Sequence, residues 1–145
     1  MRVLVQRSGK AKVTVDEKVV GSIDSGLMLL VGFTEGDEID TVKHLAKKVV
    51  NLRIFPDEND VMNKSLLDFG GDILSISQFT LYGDARKGNR PSYINALKND
   101  LATPLYDVFN EELRTYGVKV ETGVFGADME ISFTNIGPTT ILLEK

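Results

Sequence analysis

Gly26-Leu27-Met28-Leu29-Leu30-Val31-Gly32 is the stretch whose reading decides the fold. Unbroken apolar residues between two glycines are too few for a buried helix and show no polar alternation, so they predict a strand covered on both faces, at the centre of a sheet. On its N-terminal side, Val3 to Gln6 and Ala11 to Val15 read as two strands joined at Ser8-Gly9-Lys10, with Asp16-Glu17 as the next turn before Val19-Val20. On its C-terminal side the period changes from Asp37, where Ile39, Val42, Leu45, Ala46, Val49 and Val50 recur at helical spacing. Lys43, Lys47 and Lys48 face away from that stripe. The single histidine, His44, lies beside the polar face and reads as a surface residue, so a Ser-His-Asp triad is not expected.

The chain has 145 residues, enough for one domain (residues 1–145) with a real core, and its 42% hydrophobic and 26% charged residues are ordinary for a globular protein. Cysteine is absent, which removes disulfides, thiol nucleophiles and thiolate metal sites together; with one histidine, no metal site is expected. A formal net charge of −4 argues against nucleic-acid binding by a general field and confines any RNA contact to local patches. Arg7-Lys10-Lys12, Lys43-Lys47-Lys48 and Arg86-Lys87-Arg90 are the candidates, each of which also reads as a solvated face. Met1-Arg2-Val3-Leu4-Val5-Gln6-Arg7 lacks a signal-peptide core and no run approaches a membrane span, so the expectation is a cytoplasmic protein with no membrane partner.

Ile73-Leu74-Ser75-Ile76 belongs to a run from Asp72 to Leu81 that reads as a second strand. It closes on Ser77-Gln78-Phe79-Thr80, gathering hydroxyls, an amide and backbone N–H groups before the break at Tyr82-Gly83-Asp84. Such a strand end suits chemistry, and it also reads as an ordinary exit into a loop. The following Ala85-Arg86-Lys87-Gly88-Asn89-Arg90-Pro91-Ser92 is basic and broken by glycine and proline, a composition suited to phosphate. Phe55 to Asp60 reads as an exposed acidic loop without calcium-loop spacing, and Asp68 to Asp72 as a turn. A short helix is expected after Pro91-Ser92, and a longer one opening at Thr103-Pro104, with Leu105, Val108, Phe109, Leu113 and Tyr116 on one face and Gly117 as its stop. Val118 to Glu121, Met129 to Thr134 and Thr140 to Leu143 predict three closing strands. The expected architecture is α+β, a mixed and mostly antiparallel sheet with two main helices packed on it.

Asn135-Ile136-Gly137-Pro138 is by itself a common turn signal, with glycine permitting unusual dihedrals and proline a cis peptide. In order with Ser77-Gln78-Phe79-Thr80-Leu81-Tyr82-Gly83-Asp84, Lys87-Gly88-Asn89-Arg90-Pro91-Ser92 and Thr122-Gly123-Val124-Phe125-Gly126-Ala127-Asp128-Met129, it makes the whole chain resemble the D-aminoacyl-tRNA deacylase family. One departure is Thr139, where the family pattern has Val or Phe. The resemblance implies hydrolysis of the ester joining a D-amino acid to the terminal adenosine of tRNA, with glycyl-tRNA as a further candidate substrate, by a homodimer using no metal or organic cofactor.

The resemblance also implies residue roles. Gly137 and Pro138 would reach as a cis peptide into the partner subunit's pocket and exclude L side chains, Ser77, Gln78, Phe79 and Thr80 would line the pocket, and Gly123, Phe125, Gly126, Ala127 and Met129 would hold the adenosine. Arg86, Lys87 and Arg90 are candidate tRNA-phosphate contacts. An aminoacyl ester is already activated, so backbone N–H groups around Phe79 and Thr80 together with a ribose hydroxyl of the RNA would suffice without a strong protein base. A Thr80 nucleophile is the competing mechanism, though no activating base is evident. The competing functions are a non-catalytic RNA-end or small-ligand binding protein and an editing domain for mischarged L-aminoacyl-tRNA.

Overall fold

The computed structural model describes residues 1–145. The apolar run between the two glycines forms strand β3 (Gly26–Gly32) of a six-stranded sheet, with β1 (Arg2–Val15) and β2 (Lys18–Ile23) on one side of it and β6 (Asp72–Ser77) and β7 (Val120–Thr122) on the other. Strand β8 (Glu130–Glu144) pairs antiparallel with β1 along almost its whole length. The β3–β6 and β6–β7 pairs are parallel. Parallel neighbours need long crossovers, and these carry helices α1 (Ile39–Asn51) and α3 (Asn99–Thr115). The sheet is therefore mixed, and the α+β expectation holds.

Strand β3 is apolar throughout because both its faces are covered. Leu27, Leu29 and Val31 join Val3, Val5 and Ile73 beneath α1 and α3, where Val42, Leu45, Val49, Phe109 and Leu113 are buried. Met28, on the other face, packs with Leu74 and Ile76 against Ala11, Val13 and Ile23, so the second half of β1 and strand β2 fold back over the sheet. Each large side chain so buried contributes about 1.5–3 kcal/mol. The α1 stripe is buried as its spacing predicts except for Ile39, which is half exposed, while Lys43, His44, Lys47 and Lys48 face solvent.

Several boundaries differ from the sequence expectation. Val3–Gln6 and Ala11–Val15 are one strand: Ser8-Gly9-Lys10 stays extended, with Ser8 buried between Gly26 and Asn135, and β1 merely changes partner from β3 to β2 there. The last two expected strands are likewise one, β8. Its Asn135 pairs with Ser8 and its Thr140 with Gln6, so Ile136, Gly137, Pro138 and Thr139 bulge out opposite Arg7 alone.

The strand expected to run to Leu81 stops at Ser77, because Phe79–Tyr82 closes into a 3-10 turn. No helix follows Pro91-Ser92, since Ser92 and Asp84 exchange backbone hydrogen bonds of 2.8 Å and pin the ends of the basic loop together. Helix α3 starts at Asn99, a turn before Thr103-Pro104, because Ala102 is buried on the same face as Tyr106 and Phe109. Pro104 removes only one early N–H, and the Thr103 hydroxyl donates to the Asn99 carbonyl at 2.7 Å. The acidic segment contains β4 (Phe55–Pro56), which pairs with β5 (Met62–Lys64); Phe55 is buried and stacks on Phe69 of α2 (Leu66–Phe69), whose start is fixed by a Ser65/Asp68 capping box.

Gly26 sets the parallel register. It pairs with Asp72 at a φ of +139°, and a Cβ there would strike the Asp72 carbonyl oxygen. Gly26→Ala is expected to lower the unfolding free energy by at least about 2 kcal/mol, measured by urea denaturation, through both strain and the clash. A smaller loss would show that β3 and β6 adjust without cost.

Candidate active site

The parallel pairing of β3 with β6 brings their carboxyl ends side by side, the position at which open sheets hold ligands. A cleft of about 330 Å³ opens there. Ser77, Gln78 and Phe79 form one wall, and Phe125, Gly126, Ala127 and Met129 form the opposite one. Two groups widely separated in the chain, singled out by sequence, thus share one cavity. Along with strand residues Val31, Gly32 and Ile131, it is also lined by Phe33 after β3 and by Leu97, Asn99 and Ala102 around the start of α3. Sequence pattern did not single out those four, because only the two crossovers bring them to the strand ends. Asp128 is the one ionisable residue in the lining, and it is solvent-exposed.

The turn after Ser77 presents open backbone donors. The Gln78 N–H is used by the Val31 carbonyl at 2.7 Å, and the Gly83 N–H by the Thr80 carbonyl at 2.9 Å. Phe79 and Thr80 open the turn, where N–H groups have no acceptor within it, and no side chain accepts from either. The Thr80 side chain lies outside the cleft lining, exposed, with its hydroxyl accepting from Gln78 Nε2. No carboxylate or imidazole is bonded to it.

Gly123 is not in the lining but fits beneath it. A Cβ there would overlap the Met129 sulfur, so the missing side chain seats Met129 in the wall. Phe125 is backed by Tyr106, with ring centroids 5.7 Å apart. The Tyr106 hydroxyl donates to the Ser75 carbonyl at 2.8 Å, and burial pushes the pKa of the phenol up while that hydrogen bond opposes the shift. The cleft walls therefore rest on a buried joint between α3 and β6.

The Gly137–Pro138 peptide is cis, and neither residue lines the cleft of its own chain. The corner is held by Thr140, whose hydroxyl accepts from Asn135 Nδ2 at 3.0 Å and donates to the Pro138 carbonyl at 3.1 Å. Gly137 has a φ of +119°, and a Cβ on it would fall 2.6 Å from the Thr139 nitrogen and 3.2 Å from Arg7 Nη2.

A model of the D-Tyr-tRNA(Tyr) deacylase family matches residues 4–144. The chain belongs to this family. Proteins named D-aminoacyl-tRNA deacylase from Bacillus cytotoxicus, Geobacillus sp. and Thermus aquaticus are 57%, 56% and 55% identical over 145 residues, covering all of this chain and 99%, 95% and 95% of their own. A solved structure named c-Myc DNA unwinding element binding protein has a TM-score of 0.93 at 36% identity, with 100% of this chain and 99% of that one covered. A structure of a probable eukaryotic D-amino acid tRNA deacylase has a TM-score of 0.85 at 21% identity, covering 98% and 97% of the two chains, a likeness of fold.

The basic loop of this family member is less free than its composition suggests. Arg86 grips Asp84 with two side-chain hydrogen bonds, 2.9 Å from Nε and 2.6 Å from Nη2, and also donates its backbone N–H at 3.0 Å. Those bonds push the Asp84 carboxyl down to about 2. Lys87 and Arg90 remain exposed and take part in no ion pair. No helix of the deacylase fold is long and apolar enough to cross a membrane.

Proposed function

We propose that the chain hydrolyses the ester bond of D-aminoacyl-tRNA, releasing the free D-amino acid and tRNA, with glycyl-tRNA as a further substrate. The observation that carries this reading is the meeting of Ser77-Gln78-Phe79 and Phe125-Gly126-Ala127-Met129 across one cleft at the strand ends. Phe125, Gly126, Ala127 and Met129, with Gly123 beneath them, take the terminal adenosine, and Ser77, Gln78, Phe79 and Thr80 surround the ester. Water attacks the ester carbonyl, whose oxygen gains negative charge and accepts from the Phe79 and Thr80 N–H groups. A neighbouring ribose hydroxyl orients that water. Breaking the ester C–O bond then releases the amino acid and leaves a ribose hydroxyl. Preorganised donors of this kind are each worth about 10²–10³ in rate, enough to make a strong protein base dispensable.

The chiral filter in this reading is the Gly137-Pro138 corner, supplied by the partner of a homodimer. Its absence from the cleft of its own chain supports supply from a second one. Exposed Ile136 and Leu142 on β8 give that second copy apolar surface to cover. Selection works by steric rejection of the L side chain. Thr139 lies next to the corner, with its hydroxyl within reach of a Cβ on Gly137, so the filter tolerates a polar β-branched residue there. Lys87 and Arg90, with Arg86 already engaged by Asp84, are the loop's phosphate contacts, and the reaction takes place in the cytoplasm without a metal or organic cofactor.

Matched hydrolysis assays on D- and L-aminoacyl-tRNA test the function directly. The D ester is expected to turn over and the L ester to be spared, with activity surviving exhaustive chelation; equal turnover of both would leave the corner without a role.

Thr80→Ala is expected to lower kcat by no more than about tenfold, because the backbone donor remains. Loss to the uncatalysed rate, or a covalent aminoacyl-Thr80 species in mass spectrometry, would instead make the hydroxyl a nucleophile.

Replacing Lys87 and Arg90 by Ala should weaken tRNA binding and reduce the slope of log affinity against log salt by about 1–2. An unchanged salt series would return both residues to a solvated surface.

Mixed dimers test the corner. Subunits carrying Gly137→Ala and subunits whose cleft is filled by Ser77→Trp are each expected to be inactive alone and to recover about one intact site per heterodimer when combined. Purified heterodimers with no D-specific turnover would place the corner in service of its own subunit.

A further inference from the structure

Arg2 opens β1 opposite Gly32 of β3 on one side and Glu144 of β8 on the other. Gly32 carries no side chain, and a Cβ on it would come within 2.8 Å of the Gln78 carbonyl oxygen and 3.3 Å of the Leu81 Cβ. The bare strand end thus lets the Phe79–Tyr82 turn lie directly on β3 and leaves room for the Arg2 side chain to reach across. Its Nη1 donates to the Leu81 carbonyl at 2.7 Å, and its Cζ stands 4.6 Å from the centroid of the Tyr82 ring. Glu144 Oε2 lies 3.4 Å from Nε, an ion pair without a hydrogen bond on the outer side of the guanidinium. Burial, reinforced by Asp37 and opposed by Arg2, pushes the Tyr82 phenol up to about 12, so the ring stays a neutral aromatic face for the cation.

The turn is otherwise held by backbone bonds, Gln78 N–H to the Val31 carbonyl at 2.7 Å and Gly83 N–H to the Thr80 carbonyl at 2.9 Å, and by the edge contact of Phe79 with Tyr93. Its own Leu81 N–H to Gln78 carbonyl bond is long at 3.4 Å, Phe79 is 51% exposed, and no other side chain bonds to its backbone. The Leu81 carbonyl belongs to the Leu81–Tyr82 peptide unit, and its tilt reaches the Phe79 and Thr80 N–H groups through the turn's own bonds, Leu81 N–H to the Gln78 carbonyl and Gly83 N–H to the Thr80 carbonyl. We infer that Arg2 is a positioning residue for hydrolysis, clamping the turn through the Leu81 carbonyl and the Tyr82 ring so that the Phe79 and Thr80 N–H groups point at the developing oxyanion. This rests on the reading of those N–H groups as the oxyanion donors. A donor misplaced by about 1 Å forfeits up to about 10²-fold in rate, so a clamp outside the cleft matters to the chemistry.

The experiment compares kcat and KM on a D-aminoacyl-tRNA for the unaltered protein, Arg2→Met, Glu144→Ala and the double variant, all well below their unfolding temperatures. Arg2→Met is expected to lower kcat about tenfold with KM within about twofold, since misaimed donors are felt only in the transition state. Glu144→Ala should lower kcat about threefold and add nothing to Arg2→Met, because it acts through the guanidinium. The amide resonances of Phe79 and Thr80 should shift in both single variants. Arg2→Met with unchanged kcat, a loss confined to KM, or losses that multiply in the double variant would overturn the inference. If Arg2→Met does not fold, Glu144→Ala decides alone: a fall in kcat at constant KM supports the clamp and an unchanged kcat overturns it. Should the unaltered protein fail to turn over the substrate, the functional reading itself falls.

Discussion

Parallel pairing of Gly26–Gly32 with Asp72–Ser77 is the constraint on which the rest of the molecule depends. Two parallel strands cannot be joined by a tight turn, so the chain between them must cross a face of the sheet, and α1 is the result. The same pairing ends both strands at one rim, where Phe33, Ser77 and the 3-10 turn become neighbours. The next parallel pair, β6 with β7, repeats the device through α3 and delivers Phe125 to Met129 to the opposite side of that rim. The cleft is a by-product of two crossovers laid on one face.

The sequence is most legible where a single environment acts on a whole segment. Val42, Leu45, Ala46, Val49 and Val50 are buried because one face of one helix meets one core, and their spacing says so. Legibility fails where an element changes surroundings along its length. Ser8-Gly9-Lys10 carries turn-forming residues, yet β1 passes straight through them because a partner strand is present on each side before and after the change of neighbour. Thr103-Pro104 carries a helix-start signature, yet burial of Ala102 draws the helix a turn further back. In both cases tertiary burial overrides a local preference worth about 1 kcal/mol.

The site divides along the same line. Ser77, Gln78, Phe79, Phe125, Gly126, Ala127 and Met129 carry enough pattern to be found, and they share the cleft. Phe33, Leu97, Asn99 and Ala102 carry none, since they are ordinary residues until the crossovers bring them to the rim. Composition gives no sign that the exposed Arg86 guanidinium is paired with Asp84 two residues away. Nor does it show that the Thr80 side chain lies outside the cleft lining, bonded to Gln78, while its backbone N–H stays open.

On the proposed reading, in which main-chain N–H groups meet the oxyanion, the site is insulated from most side-chain drift. Every amino acid except one supplies the same donor, so Phe79 and Thr80 could exchange their side chains for many others and still present it. Proline alone would delete the donor outright. The history of such a turn would then be written less in the residues it keeps than in the single residue it never admits.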